Sequence, residues 1–450
     1  MEKTFKSCDR KQMLLLPPSL LDWIPEGHLA HFILDTVEQL DLSKIYASYQ
    51  GNGRGQPPYD PRMMTALLFY AYCTGVPSSR QIEKRTYEDV AFRVVAANRQ
   101  PDHDSICEFR KRHLKALAGL FVQILRLCQE AGIVKLGHVA LDGTKIKANA
   151  SKHKAMSYGN MKKKKEELEK EVSELLKNAE SVDKEEDKKY GKDKKGWDLP
   201  DELKRRETRL KKIKAAMSAL EEEAKQEAAE KQKTKEAQKK SEEKAASQSP
   251  EEIAPCDKAQ RNFTDPDSRI MKVSSTKSFE QCYNGQAIVD DSSQVIVAAG
   301  LSQHCNDMEE VEPILDILEE NLGGIPHHMA ITADAGYFSE TNVMLFEDAL
   351  LDPFVATQKM KHGEVLPQVR GRIPIDMTPK DRMRRKLSTK RGQEIYSKRK
   401  STVEPVFGQI KQARGLRQFL LRGYENVCAE WQIWCVTHNL LKMYRHGGPF

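Results

Sequence analysis

Apolar residues recur at helical spacing from Pro17 to about Ile133. Gly27–Leu40 carries Leu29, Phe32, Ile33, Val37 and Leu40 at intervals of one turn. The stretch GNGRGQPPYDP then breaks the pattern with glycine and proline. Asp60 followed by Pro61 is a cap and a first-turn residue, so a helix is predicted through Met63–Gly75, nearly all apolar and therefore buried. A short turn at Val76-Pro77 leads to a further helix opening at Ser78–Glu83. Asp104–Ala131 reads as one long amphipathic helix striped by Phe109, Leu114, Leu117, Phe121, Leu125 and Cys128.

After Gly132 the period drops to two. In Val134–Asp142, Val139 and Leu141 fall on one side and Ala140 and Asp142 on the other, which predicts a strand ending at Asp142. Strand-like pieces resume only near Ile270, in RIMKVSS, NGQAIVDD, QVIVAAGL, HMAITAD and PFVAT. Helical patterns lie between them at Asp307–Asn321 and Ser339–Leu350. The alternation predicts a mixed α/β layer.

A charged, low-complexity stretch, about Tyr158 to Pro255, separates these halves. Leu168, Val172 and Leu175 step by heptad intervals, as do Leu203, Leu210, Ile213, Met217 and Leu220. The breaker KKYGKDKKGWDLPDE lies between the two sets, with Pro200 placed to start the second helix. An antiparallel helical hairpin of coiled-coil type is expected, with a flexible tail over Glu243–Pro255.

Composition narrows the picture. In 450 residues, 39% hydrophobic and 31% charged describe a soluble chain with room for a sizeable core. The net charge of +7 is unevenly spread: Lys380–Arg422 is strongly basic with few acids, a footprint for phosphate. Nine cysteines show no C-x-x-C pair and no ligand spacing, which argues against a zinc site or a disulfide framework. No apolar run is long enough for a signal peptide or a membrane span, so a cytoplasmic protein is expected.

Three acids carry candidate chemistry. Asp142 and Asp334 each end a predicted strand, with a glycine just after. Glu404 stands among Lys390, Arg391, Lys398, Arg399, Lys400, Lys411, Arg414 and Arg417. Pro405 suggests a helix starting at Glu404, where the macrodipole favours an acid, and Lys411 two turns later shares its face. Three carboxylates suit hard divalent ions, and two such ions about 4 Å apart serve phosphodiester chemistry. Taken singly, each Asp is also an ordinary turn-former. Asp265, Asp267 and Arg269 read as a turn entering a strand, and Asn306-Asp307 as a helix cap. Trp431, Trp434 and His438, at helical spacing, are expected in the core.

The motifs LDGTKIKANAS, FTDPDSRIMK, YNGQAIVD, ADAGYFS and RKSTVEPVFGQIKQARGLRQFLLRG resemble those of DDE transposases, in particular the bacterial insertion sequence 1182 family. YDPRMMTALLFYAYCTGVPSSRQIE resembles that family's helical leading domain, and EWQIWCVTHNLLKMYR its terminal helix. The resemblance implies a ribonuclease-H-like catalytic domain over 134–157 and 256–450. It also implies an all-α, DNA-binding domain over 1–133, with the hairpin, 158–255, as an insertion. Asp142, Asp334 and Glu404 become the catalytic, metal-binding triad for Mg²⁺ or Mn²⁺, two ions in all. A Tyr-Arg-Glu-Lys signature is filled by Tyr396, Arg399 or Lys400, Glu404 and Lys411. The Arg399-to-Glu404 spacing is one residue longer than the usual pattern and Lys400 stands at the expected distance, so Arg399 and Lys400 are interchangeable there. Tyr396, Arg399, Lys400, Lys411 and Arg414 are expected against DNA phosphates or the terminal nucleotide. In the leading domain, Arg80, Lys84 and Arg85, or Arg110, Lys111 and Arg112, are candidates to reach DNA in a helix-turn-helix.

The function so implied is cleavage of element ends and strand transfer into target duplex DNA. It would be carried out by a homodimer in the cytoplasm at the nucleoid. The competing readings are a DNA-binding derivative without chemistry and a metal-dependent nuclease that does not join.

Overall fold

A computed structural model describes residues 19–49, 57–190, 201–238, 255–273, 278–358, 367–369, 371 and 377–447. The leading helices are α1 (Leu29–Gln39), α2 (Ser43–Ala47), α3 (Pro61–Cys73), α4 (Ser79–Glu88), α5 (Val90–Val95), α6 (His103–Arg112) and α7 (Leu114–Glu130). Asp60 caps α3 as predicted, accepting the amides of Arg62 and Met63, with Pro61 in the first turn. The helix predicted over Asp104–Ala131 is instead two. His113 leaves the helical region (φ −107°, ψ 13°), and its side chain turns inward to the Tyr49 hydroxyl, 3.0 Å away.

The sheet comprises β1 (His138–Lys147), β4 (Arg269–Lys272), β5 (Phe279–Asp290), β6 (Ile296–Ser302), β7 (Ala330–Ala333) and β8 (Asp352–Val355). The short strands β2 (Ala155–Ser157) and β3 (Gln260–Asn262) pair apart from it. Its order is β4-β5-β1-β7-β8, with β6 on the β4 edge of β5. β1 runs antiparallel to β5 and parallel to β7, and β7 runs parallel to β8. This is the mixed α/β architecture expected of a ribonuclease-H-like domain. β1 does not end at Asp142. It continues for five residues because β5 pairs with it as far as Lys147↔Cys282, and this cross-strand pairing overrides the local turn signal of Gly143.

α10 (Val311–Leu322) and α11 (Glu340–Asp348) lie between strands in sequence. α12 (Pro379–Leu387), α13 (Lys390–Gly408) and α14 (Tyr424–Arg445) close the chain. The sheet is covered on both faces. A side chain at Gly285 would meet Trp431 of α14, and one at the oppositely facing Gly300 would meet Ile314 of α10. α14 is buried along its length, with Trp431, Trp434 and His438 at most 1% exposed. Its far side packs on the leading helices: the rings of Tyr72 and Trp434 lie 4.9 Å apart, and those of Phe32 and Tyr444 5.4 Å. One continuous hydrophobic core therefore runs from α1 through α14 to the sheet.

Two long helices, α8 (Tyr158–Tyr190) and α9 (Asp201–Gln238), stand between β2 and β3. Tyr158 reaches Glu221 at 2.6 Å, Glu169 meets Lys214 at 2.7 Å and Glu171 meets Arg206 at 3.2 Å. One set of numbers rises as the other falls, so the pair is antiparallel. Met161, Leu168, Ile213, Met217 and Leu220 are buried between them. The breaker at 191–200, with Pro200, the tail over 243–254, and the side chains of Leu175 and Leu203 lie outside the described residues. Among the described residues no helix is long and apolar enough to cross a membrane.

Candidate active site

Strand register builds the first half of the site. β1 and β7 pair as Val139↔Ile331 and Ala140↔Thr332. Two residues further on come Asp142, still inside β1, and Asp334, the residue just past the end of β7, on neighbouring parallel strands. Each acid is steadied by a following amide: Asp142 Oδ1 accepts from Gly143 N at 2.8 Å, and Asp334 Oδ1 from Gly336 N at 2.8 Å. Burial, opposed by Arg399 and reinforced by the charge of Asp334, pushes the Asp142 carboxyl up to about 6.

α13 builds the second half. It starts at Lys390, capped by the Thr389 hydroxyl, and runs straight through Glu404 and Pro405. The expectation that Pro405 begins a helix is thereby corrected. Proline inside a helix leaves the carbonyl four residues back without its donor. Here that carbonyl belongs to Ser401, and the Gln294 side-chain amide occupies it at 2.9 Å. After Gly408 the helix widens into a π-turn over Gln409–Ala413, an irregularity that often marks functional sites.

Arg399 points from α13 to the sheet. It is 8% exposed, and its Nη1 donates to Asp142 Oδ2 at 2.9 Å. Lys400, the next residue, is exposed and makes no hydrogen bond or ion pair among the described residues. Of the two interchangeable candidates, the structure thus brings Arg399 to the acids. Tyr396 is half-buried beside Arg399 and packs against the small apolar cluster of Ala330, Val343, Phe354, Met383 and Leu387. Lys411 Nζ donates to Thr144 Oγ1 and to Lys145 O, each at 2.9 Å, two to three residues past Asp142. Burial lowers its pKa.

One expectation among the basic residues fails here. Arg414 does not face DNA: it is 5% exposed, donating to Thr437 Oγ1 at 2.8 Å and to Trp434 O at 3.2 Å. Its guanidinium lies over the Trp434 ring, and burial drops its pKa to about 10. Glu404 is exposed on α13 and has no hydrogen bond or ion pair among the described residues. Among those residues no group of three His, Cys, Asp or Glu side chains could hold a metal ion. Asp142 and Asp334 offer hard oxygen donors of the kind that divalent cations take. Arg110 likewise departs from its DNA-reading expectation: it is buried and donates to Pro77 O at 2.7 Å. Arg80, Lys84, Arg85, Lys111 and Arg112 remain exposed.

Asp265 and Asp267 serve α14 rather than the acids. Asp265 accepts from the Tyr283 hydroxyl at 3.0 Å and Gly423 N at 3.2 Å, and Asp267 accepts from Tyr424 N at 2.9 Å. Asp307 was read as a cap, yet its side chain makes no cap hydrogen bond. It turns toward the sheet, where Oδ1 accepts from Asn284 Nδ2 at 2.7 Å and Gln286 Nε2 at 2.9 Å. The polar Asn and Gln at alternate positions of an otherwise buried strand were the one signal in the sequence.

Two family models match the chain. One is described as a transposase domain and covers residues 18–112, and the other as a transposase DDE domain, covering residues 370–444. No curated protein and no solved structure matches it. The first match covers α1 to α6 and the second α12 to α14, and the two regions meet where the Tyr72 ring packs on Trp434.

Proposed function

From the premise that this chain belongs to the DDE transposases of insertion-sequence type, a family of DNA-cleaving and strand-transferring enzymes, we propose how its own residues divide that work. Asp142 and Asp334 form the fixed part of a set that holds Mg²⁺ or Mn²⁺, and Glu404 is the third member, offered from the exposed side of α13. A divalent ion, when bound, supplies Lewis acidity and an activated water for attack on a phosphodiester. The substrate is the end of the mobile element, and the 3′-hydroxyl released there attacks target DNA at the same acids.

The supporting observation is the β1–β7 register, which sets the two aspartates side by side with a buried guanidinium on one of them. Arg399 balances the Asp142 charge and holds its Oδ2 in place. Lys411, at the edge of the same strand, faces the flanking phosphates as a point charge. Lys400 and the exposed Arg417 extend that basic rim along α13 and beyond. Tyr396 keeps Arg399 aligned from its packed position beside Phe354.

The test is cleavage and joining of a labelled duplex carrying the element's end, in Mg²⁺, Mn²⁺ or EDTA. Asp142→Asn, Asp334→Asn and Glu404→Gln should each lose about 10³-fold or more in cutting, with DNA binding retained. Cutting by Glu404→Gln at the wild-type rate would remove Glu404 from the set. Cut but never joined product would mark a nuclease, and binding without any cutting a derivative that does no chemistry.

A further inference from the structure

Asp142 and Asp334 are each followed closely by a glycine, and one side chain stands against both glycines. A methyl group at Gly143 would lie 2.8 Å from Asp307 Oδ1 and 2.7 Å from Gln286 Nε2. One at Gly336 would lie 3.0 Å from Asp334 Oδ1 and 3.4 Å from Asp307 Oδ2. The Asp307 carboxylate therefore fills the space between Gly143, inside β1 and next to Asp142, and the turn after β7 that holds Asp334 and Gly336. It does so from beneath: Gly143 pairs with Gln286 and faces α10, whereas Asp142 pairs with Ala287 and faces α13.

The carboxylate is itself held. The Tyr337 hydroxyl donates to Gln286 Oε1, which turns the Gln286 amide nitrogen toward Asp307. Asn284, fully buried, donates to the same Oδ1. Oδ1 is thus occupied by two amides, while Oδ2 takes no hydrogen bond among the described residues.

We infer that Asp307 is a positioning residue for the Asp142–Asp334 pair, fixing the gap between β1 and the turn after β7 and lending a third negative charge beneath a bound cation. This rests on the proposed metal-holding role of that pair. Groups standing behind ligands commonly change metal affinity by about 10- to 100-fold. Asp307→Asn keeps the shape and removes the charge, so a filler role alone would leave affinity intact.

The experiment is Mn²⁺ binding followed by electron paramagnetic resonance, with duplex DNA present, alongside thermal unfolding in EDTA. Asp307→Asn should bind Mn²⁺ about tenfold more weakly while unfolding in EDTA like wild type. Gly336→Ala, which removes no hydrogen bond, should also weaken binding, because its methyl crowds both Asp334 and Asp307. If Asp307→Asn unfolds early in EDTA, Gly336→Ala decides the matter alone. Wild-type affinity in the deciding variant, with Asp142→Asn binding nothing, would overturn the role of Asp307 and leave the pair standing. Wild-type affinity in Asp142→Asn, or no Mn²⁺ uptake by the wild type, would overturn the pair itself and the inference with it.

Discussion

The two halves of the site are built by different means. Asp142 lies inside β1, where a register slip would turn every neighbouring side chain to the wrong face, and Asp334 directly follows β7, which pairs with β1. The α13 half is fixed by a few side-chain contacts along one helix. Arg399 reaches the sheet, Lys411 reaches its edge, and Glu404 between them faces outward. Backbone pairing makes the first half rigid, whereas the second depends on how the helix is docked. Substitutions that loosen the docking should therefore separate the halves.

The largest effect is expected at the link itself. Arg399→Ala leaves Asp142 in a buried place with no cation, and breaking such a pair costs about 3 kcal/mol or more. Urea unfolding would show it, and the Asp142 carboxyl should titrate above its present value of about 6. A loss below about 1 kcal/mol would mean that α13 is held to the sheet by something other than this contact.

Arg414→Ala should come next, at about 2 to 4 kcal/mol, through a cavity beside Trp434 and the lost donor to Thr437. Affinity of the folded protein for DNA should not change. Lys400→Ala should do the reverse, sparing stability but weakening DNA binding and lowering the salt slope by about one. If Arg414→Ala weakened DNA binding as Lys400→Ala does, the division between buried and rim cations would be wrong.

In the sequence Lys400 and Arg414 look alike, two cations of one basic run. Periodicity located the main sheet strands and most of the helices, because local pattern and burial agree there. It ended β1 early at Asp142, since glycine signals a turn locally while pairing with β5 is a long-range fact. It started a helix at Pro405, since the donor for Ser401 O comes from Gln294, more than a hundred residues away. Asp307 was hidden for the same reason: a side chain that looks like a cap is claimed by two amides on β5. The acids on strands were readable from position, whereas the roles of the basic residues depended on which way each helix face turned.

The smallest effect is expected where α13 meets the turn after β5. Asp291 accepts from Thr402 Oγ1 at 2.7 Å and Lys398 Nζ at 3.0 Å, with His138 Nδ1 3.5 Å away. Burial acts to raise its pKa, but the hydrogen bonds from Thr402 and Lys398 outweigh it, and the carboxyl ends below its ordinary 3.8. A depressed carboxyl contributes stability that is complete above the unfolded pKa and disappears as pH falls through the folded one. Asp291→Asn should therefore cost about 1 kcal/mol at pH 7 and progressively less below pH 4. Thermal or urea unfolding across that range would show the two curves converging. A gap that persisted to the lowest pH would mean that shape rather than charge holds this end of α13. Cleavage should fall more than stability does, because a helix end released here lets Glu404 drift while the register keeps Asp142 and Asp334 in place.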